Sequence, residues 1–273
     1  MSVNSHVQIP ISIIKSFGHP EKVVNEDGMI NTSNFVYCLR QGGDAIQSES
    51  IRDYGSQLGY FTDEIEAMLN HEYETPLGQT KKKIIDFAKG KVKTIDITHD
   101  DYLVLKSYLR MLFYRNEHFF DIYKKESLFA KIGIEDQPSD YVSMCYELNI
   151  NPIPNYDLYM IALLKATEKK NFINNYCGFS YVTGISEITK EVSFIVPLNP
   201  KCCILFFVPK SCREEDYFIG QLFANDEEVK HINQFIARTE RMFTNNSLIS
   251  LTKDELDEVK PVFNKKNLSS KKI

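Results

Sequence analysis

The sequence predicts an α+β protein, in which a helical layer packs on a small, mainly antiparallel C-terminal sheet and a short N-terminal hairpin precedes both. Residues 191–209 are typical of two apolar strands with a proline turn at residues 197–201, and no charged side chain lies between Cys202 and Val208. Residues 98–130 carry apolar side chains at helical spacing. Strand patterns at both ends of the chain and helical patterns between them indicate this class.

The N-terminal segment, residues 6–18, predicts an extended start and a short helical turn, because Pro10 disfavours helix at the residue before it. A hairpin is predicted over residues 23–39. Its turn, residues 25–28, contains an Asp-Gly pair that suits a tight connection. Residues 45–50 are predicted to follow as an edge strand.

Three helices are predicted in the middle of the chain. The first covers residues 62–75, and the second covers residues 77–89 and ends at a glycine. The third is the long helix over residues 98–130, which begins with capping-box spacing between Thr98 and Asp101.

The remaining part of the chain alternates between helical and strand patterns. Helices are predicted over residues 139–148, 155–174 and 226–243, and a strand over residues 178–184 leads into the apolar hairpin.

Length and charge limit the classes of protein that fit. The 273 residues are enough for one large domain. We expect a single α+β domain over residues 1–250, followed by residues 251–273 as a short helix and a disordered basic tail. The 37 acidic and 32 basic residues give a net charge of −5, so charge does not support a nucleic-acid partner but leaves one open. The lysine run at residues 81–83 is predicted to be a solvated helix face.

The compartment expected for this chain is the cytoplasm. No run of about 18 apolar residues predicts a membrane span, and the N-terminus lacks the features of a signal peptide. The six cysteines form no C-x-x-C pair, and we expect free buried thiols, which fit a reducing compartment. These cysteines are Cys38, Cys145, Cys177, Cys202, Cys203 and Cys212.

An acidic cluster on the helix over residues 62–75 provides the candidate metal ligands, Glu64, Glu66, His71 and Glu74. Glu64 and His71 are seven residues apart and share nearly the same side of a helix, while Glu66 and Glu74 diverge by about 80°. Carboxylates and an imidazole in one groove could hold a divalent ion, Mg²⁺ or Mn²⁺. An exposed helix with a solvated acidic face explains the same pattern.

Two arginines of the long helix are candidate anion-binding residues. Arg110 and Arg115 could bind an anion or pair with carboxylates of the acidic cluster, and a structural ion pair or a solvated position is the alternative. Asn116 is the polar residue in an apolar stripe of this helix. It is predicted either to be buried with its hydrogen bonds made to neighbouring backbone, or to have a functional role. The sequence contains no nucleophile elbow, Walker A loop or dinucleotide fingerprint.

Four segments of the chain match the pattern of one known family. Residues 6–17 resemble its opening, H-x-V-P-x-x-Y-L-x-x-F, with one extra residue before the proline. Residues 59–74 resemble its acidic helix pair, residues 196–201 its P-L-S-P-K hairpin, and residues 229–233 its late asparagine helix. Together these segments span roughly residues 6–243 and resemble the bacterial family called domain of unknown function 4238.

This resemblance implies a fold and a setting rather than a reaction. Members of the family resemble proteins that bacterial genomes and prophages carry as accessory cargo. The resemblance therefore implies a role in conflict between bacteria and phages. Residues 181–184 lack the Ser-Asp-x-Pro pattern that the family carries there. If that aspartate belongs to an active site, the departure predicts loss of the activity.

Two functional hypotheses follow from the sequence. The first is a metal-dependent, nuclease-like hydrolase in bacterial or prophage defence, with His6, Glu66, Glu74 and Arg115 as catalytic residues. His71 is the alternative to His6 as ligand or base. His6 would join the acidic cluster if the N-terminal segment folds over its helix. The second is a non-catalytic binding or regulatory module that recognises a partner protein, and self-association is open under either hypothesis.

Overall fold

The computed structural model describes residues 4–24, 27, 29–126, 137–153, 155–182, 193–209, 217–240 and 247–265. Helices and mainly antiparallel sheets occur together in these residues, which confirms the predicted α+β class. Within the same residues, no helix combines the length and the apolar character that crossing a bilayer requires.

The strands and helices are numbered in chain order. The strands are β1 Asn4–His6, β2 His19–Val24, β3 Ile30–Arg40, β4 Gln47–Ser50, β5 Ser56–Leu58, β6 Met160–Ala166, β7 Asn174–Asn175, β8 Ser180–Val182, β9 Ser193–Asn199, β10 Cys202–Phe207, β11 Phe218–Ala224 and β12 Ser247–Ser250. The helices are α1 Ile11–Ile14, α2 Asp63–Leu69, α3 Thr75–Ala88, α4 His99–Tyr114, α5 Glu117–Glu126, α6 Pro138–Glu147, α7 Asp226–Glu240 and α8 Lys253–Phe263. A 3-10 turn, Lys15–Phe17, continues α1, and a π-helical segment, Asn70–Glu74, joins α2 to α3.

The described strands form three sheets. β1 and β5 make a two-stranded antiparallel ribbon. The predicted N-terminal hairpin is observed as β2 and β3, and β4, the predicted edge strand, pairs with β3. β12 and β7 extend this second sheet, again antiparallel. The C-terminal sheet has the order β11-β6-β10-β9-β8, in which only β11 and β6 are parallel.

The apolar hairpin of β9 and β10 lies in the C-terminal sheet, and nearly all of its side chains are buried, as predicted. One part of the prediction is wrong, because Pro197 lies inside β9 opposite Cys203 rather than in the turn. The turn is at Pro200 and Lys201. The ladder shifts its register between Cys202 and Cys203, and such an irregularity is where a strand accommodates a proline.

The predicted helix over residues 155–174 is wrong. This stretch contains a short 3-10 turn and the strands β6 and β7. β6 lies between β10 and β11, and its first four side chains are all buried. A strand buried on both faces has a continuous apolar sequence that cannot be distinguished by periodicity from a buried helix.

The predicted long helix over residues 98–130 is observed as two helices, α4 and α5, with a break at Arg115 and Asn116. Asn116 Oδ1 accepts a hydrogen bond from the backbone N–H of His118 at 2.9 Å, so the asparagine caps the start of α5. Asn116 is therefore satisfied on its oxygen by neighbouring backbone, and the break leaves Arg115 as the capping residue at the end of α4.

The predicted helices over residues 62–75 and 77–89 are observed, but Pro76 does not separate them. The chain continues from α2 through the π segment into α3, with Pro76 in the first turn of α3. Proline has no N–H to give the carbonyl four residues earlier, and its ring crowds that carbonyl. A wider π turn just before the proline relieves this conflict.

The lysine run at residues 81–83 is only partly the predicted solvated face. Lys82 and Lys83 are exposed, whereas Lys81 is 8% exposed. The correction has a geometric reason, because Leu77, Lys81 and Ile84 share the face of α3 that packs into the protein.

The last helix and the cysteines belong to the buried interior. α8 follows Thr252 as predicted, and its Leu256, Val259 and Phe263 pack in one apolar cluster with Leu39 of β3. The cysteines that the structure describes are free and buried, as expected; they are Cys38, Cys145, Cys177, Cys202 and Cys203.

Some predicted features fall outside the described residues. They are most of the hairpin turn at residues 25–28, the end of the predicted long helix at residues 127–130, residues 183–184 of the strand predicted before the apolar hairpin, residues 191–192 of that hairpin, residues 241–243 of the predicted last long helix, Cys212, and the basic tail over residues 266–273.

Candidate functional site

A cleft of about 310 Å³ lies where β1, α1, α2, the π segment and the end of α4 meet. Its walls combine one imidazole, two guanidinium groups, two carboxylates and one apolar side chain. The lining residues are His6, Ile11, Arg52, Glu66, Glu74 and Arg115.

Arg115 is the buried cation of this cleft and is only 2% exposed. Its Nη1 donates a hydrogen bond to Glu74 Oε1 at 2.8 Å. Its Nε donates to the Val7 carbonyl at 3.3 Å, and its Nη2 donates to the His6 carbonyl. The guanidinium also lies over the ring of Phe61, with 5.5 Å to the ring centroid. One side chain at the end of α4 therefore holds both the N-terminal strand and the acidic helix.

The π segment brings Glu66 and Glu74 to the same side of their helix. Eight residues of regular α-helix would separate the two carboxylates by about 80° at about 100° per residue. A π turn accommodates one extra residue, so the eight steps turn the chain about as far as seven α-helical steps, which leaves about 20° between them. Both carboxylates then face Arg115, at 3.9 Å for Glu66 Oε1 and 2.8 Å for Glu74 Oε1.

Glu66 has an unusual environment in this cleft. Its Oε1 is buried and has no hydrogen-bond partner within the described residues, and the 3.9 Å to Arg115 Nη2 is too long for a direct hydrogen bond. Leaving a buried acceptor unpaired costs roughly 1–3 kcal/mol. A water or a bound molecule that donates a hydrogen bond to Glu66 Oε1 would therefore be stabilised there.

His6 is held in one tautomer by its backbone neighbour. Its Nδ1 lies 3.1 Å from the Tyr54 carbonyl oxygen, and because a carbonyl can only accept, Nδ1 carries the proton. The neutral ring therefore has its lone pair on Nε2. Burial, and secondarily the charges of Arg115 and Lys15, lower the pKa of His6 below 6.5, against opposing effects of the Tyr54 hydrogen bond and of Glu74. The imidazole is thus neutral at neutral pH.

Arg52 is the exposed cation of the cleft. Its guanidinium has no hydrogen bond or ion pair to any residue that the structure describes, in contrast to Arg115. With Arg52 and Arg115 positive, Glu66 and Glu74 negative and His6 neutral, the formal charges of the lining cancel. Both carboxylates face Arg115, so Arg52 is the cation of the cleft that no carboxylate contacts within the described residues, and one surplus negative charge lies beside Arg115.

The structure brings together the four residues predicted as catalytic, His6, Glu66, Glu74 and Arg115, because the N-terminal strand does lie over the acidic helix. It does not bring together the four predicted metal ligands. Glu64 is exposed and outside the cleft lining.

His71, another predicted metal ligand, is also outside the lining: its side chain is 84% exposed and lies 3.8 Å from Glu72. In the described part of the chain, no three His, Cys, Asp or Glu side chains are grouped so that they could hold a metal ion. The two carboxylates of the cleft already face a guanidinium, whose positive charge would repel a dication. The residues present therefore do not fit the predicted Mg²⁺ or Mn²⁺ site.

Two other residues differ from what the sequence suggested. Arg110 lies outside the cleft lining: its Nη1 donates to Asn149 Oδ1 at 2.7 Å and its guanidinium lies over the ring of Tyr156. Arg52 was not a candidate, because a single arginine in a loop gives no periodic or motif signal. Only the pairing of β1 with β5, just after Arg52, shows that this loop reaches the cleft.

Comparison of the chain with protein-family models, with curated proteins and with solved structures finds no match. The resemblance to domain of unknown function 4238 therefore stays a prediction.

Proposed function

We propose that the chain is a hydrolase of phosphate esters in which His6 is the general base. The observation that supports this most is the state of the His6 ring. Its Nδ1 proton is engaged by the Tyr54 carbonyl and its pKa is lowered by burial, so a neutral ring has its lone pair on Nε2. A general base for reaction near neutral pH needs this protonation state.

Arg52 supports an anionic substrate. The cleft holds a second cation, Arg115, but its charge is faced by two carboxylates, whereas Arg52 is exposed and has no carboxylate partner in the described residues. A guanidinium matches phosphate oxygens with two parallel hydrogen bonds. The proposed substrate class is therefore a phosphate mono- or diester.

The proposed reaction is direct attack by water. A water molecule gives a proton to His6 Nε2 while its oxygen forms a bond to phosphorus and the ester P–O bond breaks. The His6 imidazolium then returns the proton to the leaving oxygen, so that an alcohol and a phosphate are released. Arg52 stabilises the negative charge on the phosphoryl oxygens, and Glu66 Oε1 accepts a hydrogen bond from the attacking water.

Arg115 has a positioning role in this proposal, because it is almost fully buried. It donates to the His6 carbonyl and to Glu74, and so fixes the backbone that carries the general base against the acidic helix. Its removal should change the orientation of His6 rather than contacts to substrate.

The test is hydrolysis of 4-nitrophenyl phosphate, bis(4-nitrophenyl) phosphate and labelled single- and double-stranded nucleic acid. We expect His6→Asn to lower kcat by about 10²- to 10⁴-fold, the usual contribution of a general base, and Arg52→Gln to raise KM. His71→Asn is the matched control, since His71 is an exposed histidine outside the cleft. Absence of turnover with all four substrates, or equal rates for wild type and His6→Asn, would contradict the proposal.

The metal-dependent form of the hypothesis is tested in the same assay. Because the described residues do not group three metal ligands, we expect the rate to be the same with EDTA and with added Mg²⁺ or Mn²⁺. A rate that requires the metal and is lost in Glu66→Gln would instead support the metal-dependent form.

The setting proposed for this hydrolase, bacterial or prophage defence, comes from the family resemblance and is part of the proposal. It predicts that cells expressing the wild-type chain resist phage and that cells expressing the His6→Asn variant do not. Equal plating of phages on both would contradict the setting while leaving the hydrolase proposal to the enzyme assay.

A second candidate function, non-catalytic recognition of a partner protein, is favoured by a different surface. Leu222 and Phe223 of β11 are exposed, Phe223 to 69%, beside the polar residues Glu228 and His231 of α7. Exposed apolar side chains rimmed by polar ones are typical of protein-binding surfaces. The simplest occupant is a second copy of the chain. Sedimentation that depends on concentration in the wild type but not in Phe223→Lys would support self-association through this surface. A monomer at all concentrations would contradict self-association.

A further inference from the structure

A second cavity, of about 490 Å³, lies beside α1 and shares no lining residue with the His6 cleft. Four lysines line it, and no aspartate or glutamate does so within the described residues. The four are Lys15, Lys81, Lys89 and Lys201, and they come from three distant parts of the chain.

Lys201 has a structural role in this cavity. Its Nζ donates to the carbonyl oxygens of Thr167, Glu168 and Lys170 at 2.9, 2.7 and 2.7 Å. An ammonium group has three protons, so all of its donors are used. Lys201 supplies positive charge to the cavity but no free N–H.

Lys81 has donors to spare. It is 8% exposed, and the one hydrogen bond of its ammonium within the described residues goes to the Ser12 carbonyl. Burial, and then the charge of Lys15, lower the pKa of Lys81 to about 8. A buried ammonium without a contacting carboxylate is stabilised by an anion, because the anion supplies the missing opposite charge.

Lys15 and Lys89 are exposed, and neither has a hydrogen bond or ion pair from its side chain to the residues described. Their flexible side chains can therefore turn toward a ligand in the cavity without breaking another contact. The absence of acidic side chains in the lining means that nothing there competes with such a ligand.

Asn199 provides an independent observation that points to a ligand. It is 6% exposed, its Oδ1 accepts from the backbone N–H of Lys201 at 2.8 Å, and its Nδ2 is buried without a hydrogen-bond partner in the described residues. Buried amide donors are nearly always paired, so this one calls for an acceptor. A lining with positive charge and an unpaired buried donor is complementary to an oxyanion.

We propose that this cavity binds a multiply charged phosphate chain, such as pyrophosphate or the triphosphate of a nucleotide. Lys81 and the Asn199 amide contact one phosphate group in the buried part of the cavity, and Lys15 and Lys89 contact the next group from the surface. The volume is large enough for more than a single phosphate and lies within the range of small-molecule sites.

This site does not depend on the proposed hydrolase activity, because the two cavities share no lining residue. Binding at the lysine cavity should be unchanged in His6→Asn. Failure of one proposal therefore leaves the other open to its own test.

The test is isothermal titration of the full chain with pyrophosphate and, separately, with ATP at low ionic strength. We expect Lys15→Gln and Lys89→Gln each to weaken binding by roughly tenfold or more, as expected for loss of one charge-assisted hydrogen bond. The matched control is Lys82→Gln, which removes one lysine charge at an exposed position of α3 outside the cavity, next to Lys81 in sequence. Affinity should fall as salt is added.

Asn199→Asp tests the buried part of the cavity. The variant keeps the oxygen that accepts from the Lys201 N–H and replaces the amide donor by an acceptor, so pyrophosphate binding should be lost while the melting temperature is retained. The proposal is overturned if neither pyrophosphate nor ATP binds the wild type, or if Lys82→Gln weakens binding as much as the cavity variants do. It is also overturned if a folded Asn199→Asp binds like the wild type.

Discussion

Arg115 donates from Nη1 to Glu74 Oε1 across 2.8 Å, and this bond connects the end of α4 to the π segment of the acidic helix. The same guanidinium donates to the carbonyls of His6 and Val7 in the N-terminal segment. Three parts of the chain that are far apart in sequence therefore meet at one side chain, and the cleft exists because they do.

Replacement of Arg115 should be strongly destabilising. Arg115→Met removes the buried cation and leaves the Glu74 carboxylate and two backbone carbonyls without their donor. Breaking a buried ion pair from one side typically costs about 3–5 kcal/mol. We expect a loss of that size in the free energy of unfolding, measured by urea denaturation.

Arg52→Met is the control for this measurement. It removes an arginine from the same cleft, but Arg52 is exposed and its guanidinium has no partner in the described residues. We expect a change within about 0.5 kcal/mol. Similar losses for both variants would mean that Arg115 does not hold the three segments together.

The state of His6 predicts how stability and activity depend on pH. Because burial lowers the pKa of His6, the unfolded chain binds a proton at a higher pH than the folded chain does. Stability should therefore fall as pH decreases from about 6.5 toward the folded-state pKa, and His6→Asn should remove this component of the fall. Denaturation curves recorded between about pH 5 and 8, the range in which histidine changes its charge, measure this part of the free energy of unfolding.

The same shift gives an expected pH–rate profile for the hydrolase. The general base must be neutral, so the acidic limb of kcat/KM should have its midpoint below the ordinary histidine value of about 6.5. A midpoint above that value would contradict the assignment of His6 as the base.

Of the two aspartates in the first turn of α4, Asp101 should contribute more to the free energy of unfolding than Asp100. Burial of Asp101 opposes ionisation, but hydrogen bonds from Lys83, Thr80 and Thr98 outweigh this effect and lower the pKa of Asp101 below 3.8. Asp101→Asn should lower the free energy of unfolding at pH 7 by about 1.5–3 kcal/mol, the value of a hydrogen bond to a charged group. Asp100→Asn, in the same turn but exposed, is the control.

The pH dependence of the Asp101→Asn effect has a definite sign. A carboxyl group with a depressed pKa stabilises the fold above its unfolded-state pKa, and this contribution is lost as pH falls through the folded-state value. The difference between wild type and variant should therefore shrink below pH 3.8. A difference that stays constant to lower pH would show that the charge of Asp101 is not its source.

The buried cysteines should be unreactive in the native protein. Burial raises the pKa of Cys38 and Cys202 to about 12 and that of Cys145 to about 11, so little thiolate forms at neutral pH. In a Cys212→Ser background, we expect no rapid reaction with a thiol reagent before unfolding and five reactive thiols in denaturant. A thiol that reacts quickly under native conditions would contradict the described burial.

The sequence indicated that Glu66 and Glu74 share a helix, that Arg115 could pair with them, and that His6 would join them if the N-terminal segment folds over that helix. The structure places these four residues in one cleft. The sequence did not predict how the grouping arises. The alignment of Glu66 with Glu74 depends on a π turn, and a regular 3.6-residue period contains no sign of it. Arg52 was missed because its place is set by strand pairing between distant segments.

The main errors in the fold also have physical reasons. The helix predicted over residues 155–174 is largely a strand, because burial on both faces removes the alternation by which a strand is recognised. The break at Asn116 was missed because asparagine occupied a position of the apolar stripe, where it could be either a core residue or a cap. The sequence predicts a solvated Lys81, because a run of like charges usually lies on a solvated face, whereas the residue is buried on the inner side of α3.

The π segment between α2 and α3 also makes chain length important in this helix. Deleting a single residue from residues 70–73 would turn the π segment into regular α-helix, and seven α-helical steps turn the chain about as far as the eight steps do now, so Glu66 and Glu74 would keep their alignment. Deleting a residue from the regular part of α3 between Glu74 and Lys81 would instead rotate Lys81, and everything beyond it, by about 100° relative to Glu74. The helix should therefore tolerate the loss of one residue within the π segment far better than the same loss one turn later.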